Sequence, residues 1–386
     1  MGNTTEAFTF VNSLDHLTEI CQRLNTQEWI GFDTEFIGEK RYFTLLCLIQ
    51  IDSPIGSFLI DPIAIKDLTP FFSILTNPNV LKITHAGEND YRILYNSFSI
   101  LPKNVFDTQV AAGFVGYNYP TAFRKIVEKE LRVRLKKGFA VAEWDVRPLG
   151  EKHLQYALND VIYLKDLHIK LTKKLATSDR AQWCQEEMDK MGTADHYYIN
   201  PHAEALNNNM MAHLGMKEKV FMLRLFAWRK SEAKRKDYSK EMILPGKHIN
   251  LIVKNIQQGA AALSNNRLLP KSFFKKHGDL LMELYGAPIT EEEKEILSEI
   301  PVREDSTPFE DITCDILYAL VKRRCIRQGV SQNLIFPKSS IRKFRKDSEW
   351  LGDQWRAEVL GADLLKLLKN MHQVKFDVTD GVFTLK

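Results

Sequence analysis

Along the first 110 residues, apolar and polar positions alternate with two different periods. Short β-rich runs bounded by turn residues, "WIGFDTEF", "LLCLIQI", "GSFLID" and "VLKITH", predict strands. Between them, "SLDHLTEICQRLN" and "DLTPFFSIL" carry apolar residues at helical spacing. Helical spacing then takes over, in "AFRKIVEKEL" and in one long helix expected from about 151 to 176. A β-rich start followed by helices predicts an α/β domain with a mixed central sheet flanked by helices.

The pattern breaks in "GTADHYYINPHAEALNNNMM", whose Gly, Pro and Asn run reads as a linker. Helical segments resume in "KEKVFMLRLFAWRKSEAKRKD", "GKHINLIVKNIQQG" and "KSFFKKHGDLLMELYG". A second break, "GAPIT…PVREDSTP", precedes "FEDITCDILYALVKRRCIRQG" and "GDQWRAEVLGADLLKLLKNMH". The expected division is an α/β domain over 1–192, a linker over 193–212, a helical domain over 213–290, a linker over 291–308 and a second helical domain over 309–386.

Composition narrows the class. The chain has 386 residues, of which 44% are hydrophobic, enough for two or three soluble domains. No run approaches the ~20 consecutive apolar residues of a membrane span. The N-terminal "MGNTTEAFTF" lacks the basic and apolar regions of a secretory signal, so a cytoplasmic protein is expected. Its five cysteines are scattered and include no C-x-x-C pair, which excludes zinc-ribbon and thioredoxin-type readings and fits reduced thiols. Residues 1–200 hold 22 basic and 25 acidic side chains, and the remainder 31 and 24. An acidic front half and a basic back half suggest chemistry in one and polyanion contact in the other.

The acidic candidates lie in the front half. Asp33 and Glu35 in "GFDTEF" are two apart on a strand and so share a face. Two such carboxylates repel unless the face is solvated or a cation sits between them, and hard divalent ions take oxygen ligands of this kind. Asp90 in "THAGENDYRIL" falls in the first turn of a helix, where the dipole alone would favour a negative charge. Asp107 reads as an N-cap. Tyr156 and Asp160 in "YALNDVIYL" are four apart and share a helical face.

In chain order these make Asp-x-Glu on a strand, His-Ala-Gly-x-x-Asp at a strand–helix turn, Asp-Thr-Gln, and Tyr-x-x-x-Asp on a later helix. The series resembles the DEDD exonuclease superfamily in its Tyr-containing form and, more closely, the ribonuclease D family. The resemblance runs through "GFDTEF", "LIQI", "LIDP", "THAGEND", "FDTQVAAGF", "WDVRPL" and "YALNDVIYL", over roughly residues 25–170. The chain departs from the family's usual pattern ahead of Trp144, where Ala142 and Glu143 stand in place of Ser-Asp.

The resemblance implies a ribonuclease H-like exonuclease domain followed by two small all-α HRDC-like domains. It implies that Asp33, Glu35, Asp90 and Asp160 hold two divalent ions, Mg²⁺ or Mn²⁺, and that Tyr156 orients the attacking water. Two ions roughly 4 Å apart serve both oxygens of an in-line displacement. Asp33 would bridge them, Glu35 and Asp160 would complete the nucleophile side, and Asp90 would support the second. A phenol of pKa about 10 is a poor base, so positioning suits Tyr156 better than proton abstraction. Arg147 would either contact a phosphate or buttress the Tyr156 helix, and His85 would either shape the site or be satisfied at a strand end.

In the basic half, "WRKSEAKRKD" places Arg229, Lys230, Lys234, Arg235 and Lys236 within eight residues. Such clusters bind phosphate backbones without reading sequence, and the HRDC resemblance points this one toward RNA. "VKRRCIRQ" and "IRKFRKDSEW" would extend a basic path. The expected function is a metal-dependent 3′-5′ exoribonuclease, a monomer acting on tRNA precursors and other small structured RNAs. The alternatives are a DNA 3′-5′ exonuclease, or a non-catalytic nucleic-acid-binding scaffold. No P-loop, H-E-x-x-H or G-x-S-x-G accompanies the acidic set.

Overall fold

The computed structural model describes residues 8–135, 143–176, 180–300, 307–345, 351, 354–374, 376–379 and 382–385. In chain order the early elements are β1 (Phe8–Val11), α1 (Leu14–Leu24), β2 (Trp29–Ile37), β3 (Leu45–Ser53), β4 (Gly56–Ile60), α2 (Thr69–Thr76), β5 (Leu81–Thr84), α3 (Glu88–Phe98), β6 (Val105–Asp107) and α4 (Thr108–Phe114). The strands form one mixed sheet in the order β1-β4-β3-β2-β5-β6. β1 runs parallel to β4, β2 to β5 and β5 to β6, while β3 and β4 are antiparallel. The four expected strands are its centre, and the short flanking strands β1 and β6 were not foreseen.

Helices α5 (Phe123–Leu131), α6 (Glu151–Asn159), α7 (Leu164–Leu175) and α8 (Arg180–Asp189) follow. The long helix expected over 151–176 is in fact α6 and α7, separated by a turn at 160–163. Apolar residues stay in phase across the turn: Leu158, Val161, Leu164 and Leu167 are all buried. Periodicity alone therefore reads as continuous helix.

The chain divides into two compact units. The first contains the sheet and its helices, through the short α9 (Ala194–Tyr197), and takes up the chain again from Pro308. The second contains Ile37–Leu45 and the described residues from Tyr198 to Ile300. Its helices are α10 (Ala203–Leu206), α11 (Met216–Lys236), α12 (Lys240–Ile243), α13 (Gly246–Asn255), α14 (Ala260–Asn265), α15 (Lys271–Gly286) and α16 (Glu291–Ser298). Phe221, Leu225, Ile252, Val253 and Leu281 bury their side chains together in its core. α11 ends where Asp237 takes a left-handed conformation, and a Thr290–Glu293 capping box starts α16.

Two boundaries differ from expectation. The stretch expected to be a linker over 193–212 is short helical turns with buried anchors: Tyr197 lies in the core of the first unit, and Leu206 and Met211 lie in that of the second. The C-terminal block, with α17 (Pro308–Gln328), α18 (Gln332–Ile335), α19 (Gln354–Lys369) and the hairpin β7 (Phe376–Thr379) and β8 (Val382–Leu385), forms no separate unit. Its buried residues join the core of the first unit. Trp355 packs edge-on against Phe114 at 4.9 Å, Arg356 pairs with Glu187 at 3.0 Å, and Trp183 Nε1 donates to Glu358 at 2.7 Å. An amphipathic helix needs a partner for its apolar face, and the sequence does not say which surface provides it. Among the described residues, no helix is long and apolar enough to cross a membrane.

Candidate active site

β2 carries Asp33 and Glu35 on one face, in a strand buried at Ile30, Gly31, Phe32 and Thr34. β5 leads through His85, Ala86 and Gly87 into α3, which brings Asp90. That turn is tight. Ala86 is left-handed at φ 60°, and a Cβ on Gly87 would stand 2.7 Å from Thr84 Oγ1. Asp107 pins it: the carboxylate accepts from Gly87 N at 2.8 Å and Ala86 N at 3.2 Å while capping α4 through Gln109 N and Val110 N. The N-cap foreseen at Asp107 is real, and the same side chain also sets where α3 begins.

Thr34 completes the placement of Asp90. Its hydroxyl donates to Asp90 Oδ1 and fixes that carboxylate from the neighbouring strand. The sequence reading passed over Thr34, although its place inside the Asp-x-Glu motif was the available signal.

Asp160 arrives by a different route. It sits at the C-terminus of α6, where the helix dipole disfavours a negative charge. Gly31 makes the approach possible: a Cβ there would stand 3.2 Å from Val161 O and 3.3 Å from Leu164 Cβ, so a side chain would press the turn away from β2. The Tyr156 hydroxyl hydrogen-bonds to Asp160, and the Tyr156 ring lies 6.1 Å from that of Trp144. Arg147 holds the segment ahead of α6. It makes a two-pronged pair with Asp61, at 2.7 and 2.8 Å, and donates to the carbonyls of Cys47, Trp144 and Val146. With every prong engaged, Arg147 is a brace. His85 is likewise satisfied, by Thr108 Oγ1 at 2.9 Å and Thr121 O at 3.1 Å.

Burial raises all four carboxylates, and the others raise Asp33 and Glu35 further. Burial pushes Asp33 well above the usual range, and Asp90, Asp160 and Glu35 add to it. Glu35 rises to about 8 through burial and then through Asp160 and Asp90. Asp90 rises to about 7, mainly by burial and against the Thr34 hydrogen bond. Asp160 also rises to about 7 by burial, opposed by the Tyr156 hydrogen bond. Burial, followed by Asp160, raises the Tyr156 phenol, so it keeps its proton at neutral pH. Among the described residues, none of the four carboxylates has a Lys or Arg partner, and no three His, Cys, Asp or Glu side chains already stand as a ligand set. The four carboxylates are held without a counter-charge among the described residues. Their hard oxygens and unrelieved charge are the donor set that a divalent cation fits.

A 3′-5′ exonuclease family model matches residues 8–176. The chain is 30% identical to a ribonuclease D of Jannaschia sp. (strain CCS1) over 369 residues, covering 93% of this chain and 94% of the other. It belongs to the ribonuclease D family of 3′-5′ exoribonucleases. In solved structures, its fold is similar to Escherichia coli RNase D, with a TM-score of 0.80 at 24% identity over 94% of this chain and 98% of that one. It is also similar to the catalytic core of RRP6 from Trypanosoma brucei, with a TM-score of 0.59 at 20% identity over 74% of this chain and 80% of that one. Exonucleases of this DEDD type generally depend on divalent metal.

The basic cluster expected to contact RNA divides into three environments. Arg229 is a correction: it is only 2% exposed, and its guanidinium binds Glu204, Glu241 and the carbonyls of Lys240 and Leu244. It ties α11 to α10 and α12 and presents nothing to a ligand. Arg235 and Lys236 both pair with Glu232. Lys230 and Lys234 are exposed. In "VKRRCIRQ", Arg324 pairs with Asp363 at 2.7 Å. The run "IRKFRKDSEW" lies outside the described residues from 346 onward.

Proposed function

We propose that the chain shortens RNA from a free 3′ end, releasing nucleoside 5′-monophosphates one at a time with two divalent ions, Mg²⁺ or Mn²⁺, held by Asp33, Glu35, Asp90 and Asp160. The convergence of four carboxylates that burial raises, Asp33 and Glu35 further raised by Asp90 and Asp160, without a cationic side-chain partner among the described residues, carries this reading. When bound, such ions lower the pKa of an attacking water and stabilise charge on the attacking and leaving oxygens.

The remaining work belongs to the chain. The Tyr156 phenol keeps its proton and donates to Asp160, which leaves its lone pairs to hold a water in line. Thr34 and Asp107 keep Asp90 in place, and Gly31 admits Asp160. RNA with structured bodies, tRNA precursors among them, is the proposed substrate class. Its support is the similarity to the E. coli enzyme, described as an exoribonuclease involved in structured RNA processing. The helices over 213–290 are read as an HRDC domain that holds the RNA body, and the block over 309–386 as a second HRDC-like segment joined to the nuclease core. A cytoplasmic monomer completes the proposal.

The test uses 5′-labelled RNA and DNA of one sequence with unstructured 3′ tails, in Mg²⁺, Mn²⁺ or EDTA. A one-nucleotide ladder on RNA is expected, absent in EDTA and with Asp33→Ala, and slowed about 10²-fold by Tyr156→Phe. A ladder on DNA alone would replace RNA with DNA in the proposal. Binding with no ladder on either would make the chain a scaffold.

A further inference from the structure

α11 carries one stripe that joins a partly buried ring to two exposed lysines. Phe226, Lys230 and Lys234 follow at intervals of four and lie on one helical face. With Tyr42, His202 and Ser231 they line a cavity of about 450 Å³ within the second unit. This volume lies within the range of small-molecule sites, ~300–1,000 Å³.

The charge in this cavity is positive and uncompensated. Among the described residues, Lys230 and Lys234 have no carboxylate partner, while every nearby acid has one. Glu204 is divided between Arg229 and Lys240, Glu232 holds Arg235 and Lys236, and Asp237 holds Arg41. Solvated lysines at a helix C-terminus are ordinary in themselves. Here they share a recess with two aromatic rings. The Tyr42 side of that recess is built rather than loose. Arg41 grips Asp237 at 3.0 and 2.8 Å, Phe43 N donates to Asp237 at 2.9 Å, and Ser239 N donates to Lys40 O at 3.1 Å.

We infer that this cavity is a nucleotide subsite for single-stranded RNA, with Lys230 and Lys234 on phosphate oxygens and Tyr42 and Phe226 against a base. Lysine as a point charge suits phosphate, and an aromatic face accepts any base, so the subsite grips RNA without reading its sequence. The inference rests on the exoribonuclease reading and gives it a second point of hold, outside the carboxylate site.

The test measures binding of a fluorescent oligoadenylate by anisotropy, in EDTA and across a KCl series, with the full chain. Lys230→Gln/Lys234→Gln is expected to weaken binding about tenfold and to flatten the slope of log K against log salt by about 1.4, from ~0.7 for each single-strand phosphate that a lysine no longer neutralises. Tyr42→Ala is expected to weaken binding about tenfold with the slope unchanged, because stacking releases no counterions. Arg235→Gln, a paired control, is expected to change neither. Unchanged affinity and slope in the lysine variant would overturn the subsite, and so would an equal loss in the Arg235 control. A wild type that binds in EDTA but trims no RNA in Mg²⁺ or Mn²⁺ would instead defeat the nuclease reading, so the two failures are separable.

Discussion

Replacing Asp160 by Asn should stabilise the metal-free protein at pH 8 and do so markedly less at pH 5. In the fold, the Asp160 carboxyl titrates at about 7, against a reference of 3.8, chiefly because it is buried. A folded pKa above the unfolded one means that the native state holds the proton more tightly between those values. Stability from that group is full below the unfolded pKa and is lost as pH rises through about 7. At pH 8 the ionised carboxylate therefore costs the fold about 4 kcal/mol, at ~1.4 kcal/mol per pKa unit. Local relaxation and water penetration around the ionised carboxylate relieve part of this, leaving about 2 kcal/mol. For a unit of this size that is ~4–8 °C in melting temperature. Asn keeps an oxygen acceptor for the Tyr156 hydroxyl and removes the charge. The assay is intrinsic-fluorescence melting in EDTA, where Trp29, Trp144, Trp183 and Trp355 report on the first unit. The Asp160→Asn variant should melt above wild type at pH 8 and by a markedly smaller margin at pH 5, where the folded carboxyl is protonated and only the unfolded one is ionised. Mg²⁺ or Mn²⁺ should raise the wild-type midpoint at pH 8 and leave the variant nearly unmoved. A variant that melts at or below wild type in EDTA at pH 8, or a gain of equal size at pH 5, would refute the account of Asp160 as a charge waiting for a cation.

Three other substitutions test the supports. Thr34→Val removes the hydroxyl donor to Asp90 and should raise the metal concentration for half-maximal activity by about tenfold, the equivalent of ~1.4 kcal/mol, with Thr34→Ser restoring it. A titration of activity against Mg²⁺ that does not move would show that Thr34 merely packs. Arg147→Met leaves the Asp61 charge buried and three carbonyls short of donors, so denaturant unfolding should lose about 3 kcal/mol. Arg229→Met should destabilise the second unit by a similar ~3 kcal/mol, whereas Arg235→Met, an exposed i,i+3 pair, should stay within ~0.5 kcal/mol. Equal effects at positions 229 and 235 would contradict the division of the basic cluster.

What the sequence made legible follows from what each residue type must do. Asp33 and Glu35 could be placed on one face because a strand alternates with period two, and the acids could be ordered because each is the only kind of side chain that suits its task. The break after Asp160 was not legible, because Val161 and Leu164 keep the apolar phase of a continuous helix through the turn. The decisive residue there is Gly31, far away in the chain, and its missing Cβ can be interpreted only once Val161 and Leu164 are seen against it. Arg229 was misread for a related reason. A run of basic residues gives the charge of a helix but not the environment of each face, and Glu204 and Glu241 lie on other helices. The same limit hid the partner of the C-terminal block, whose Trp355 and Arg356 needed Phe114 and Glu187 to explain them. Removing Arg229, Arg235 and Lys236 from the surface cluster leaves Lys230 and Lys234. This subtraction turns a diffuse basic helix into one cavity with two cations and two rings, and so into a claim that a salt series can refute.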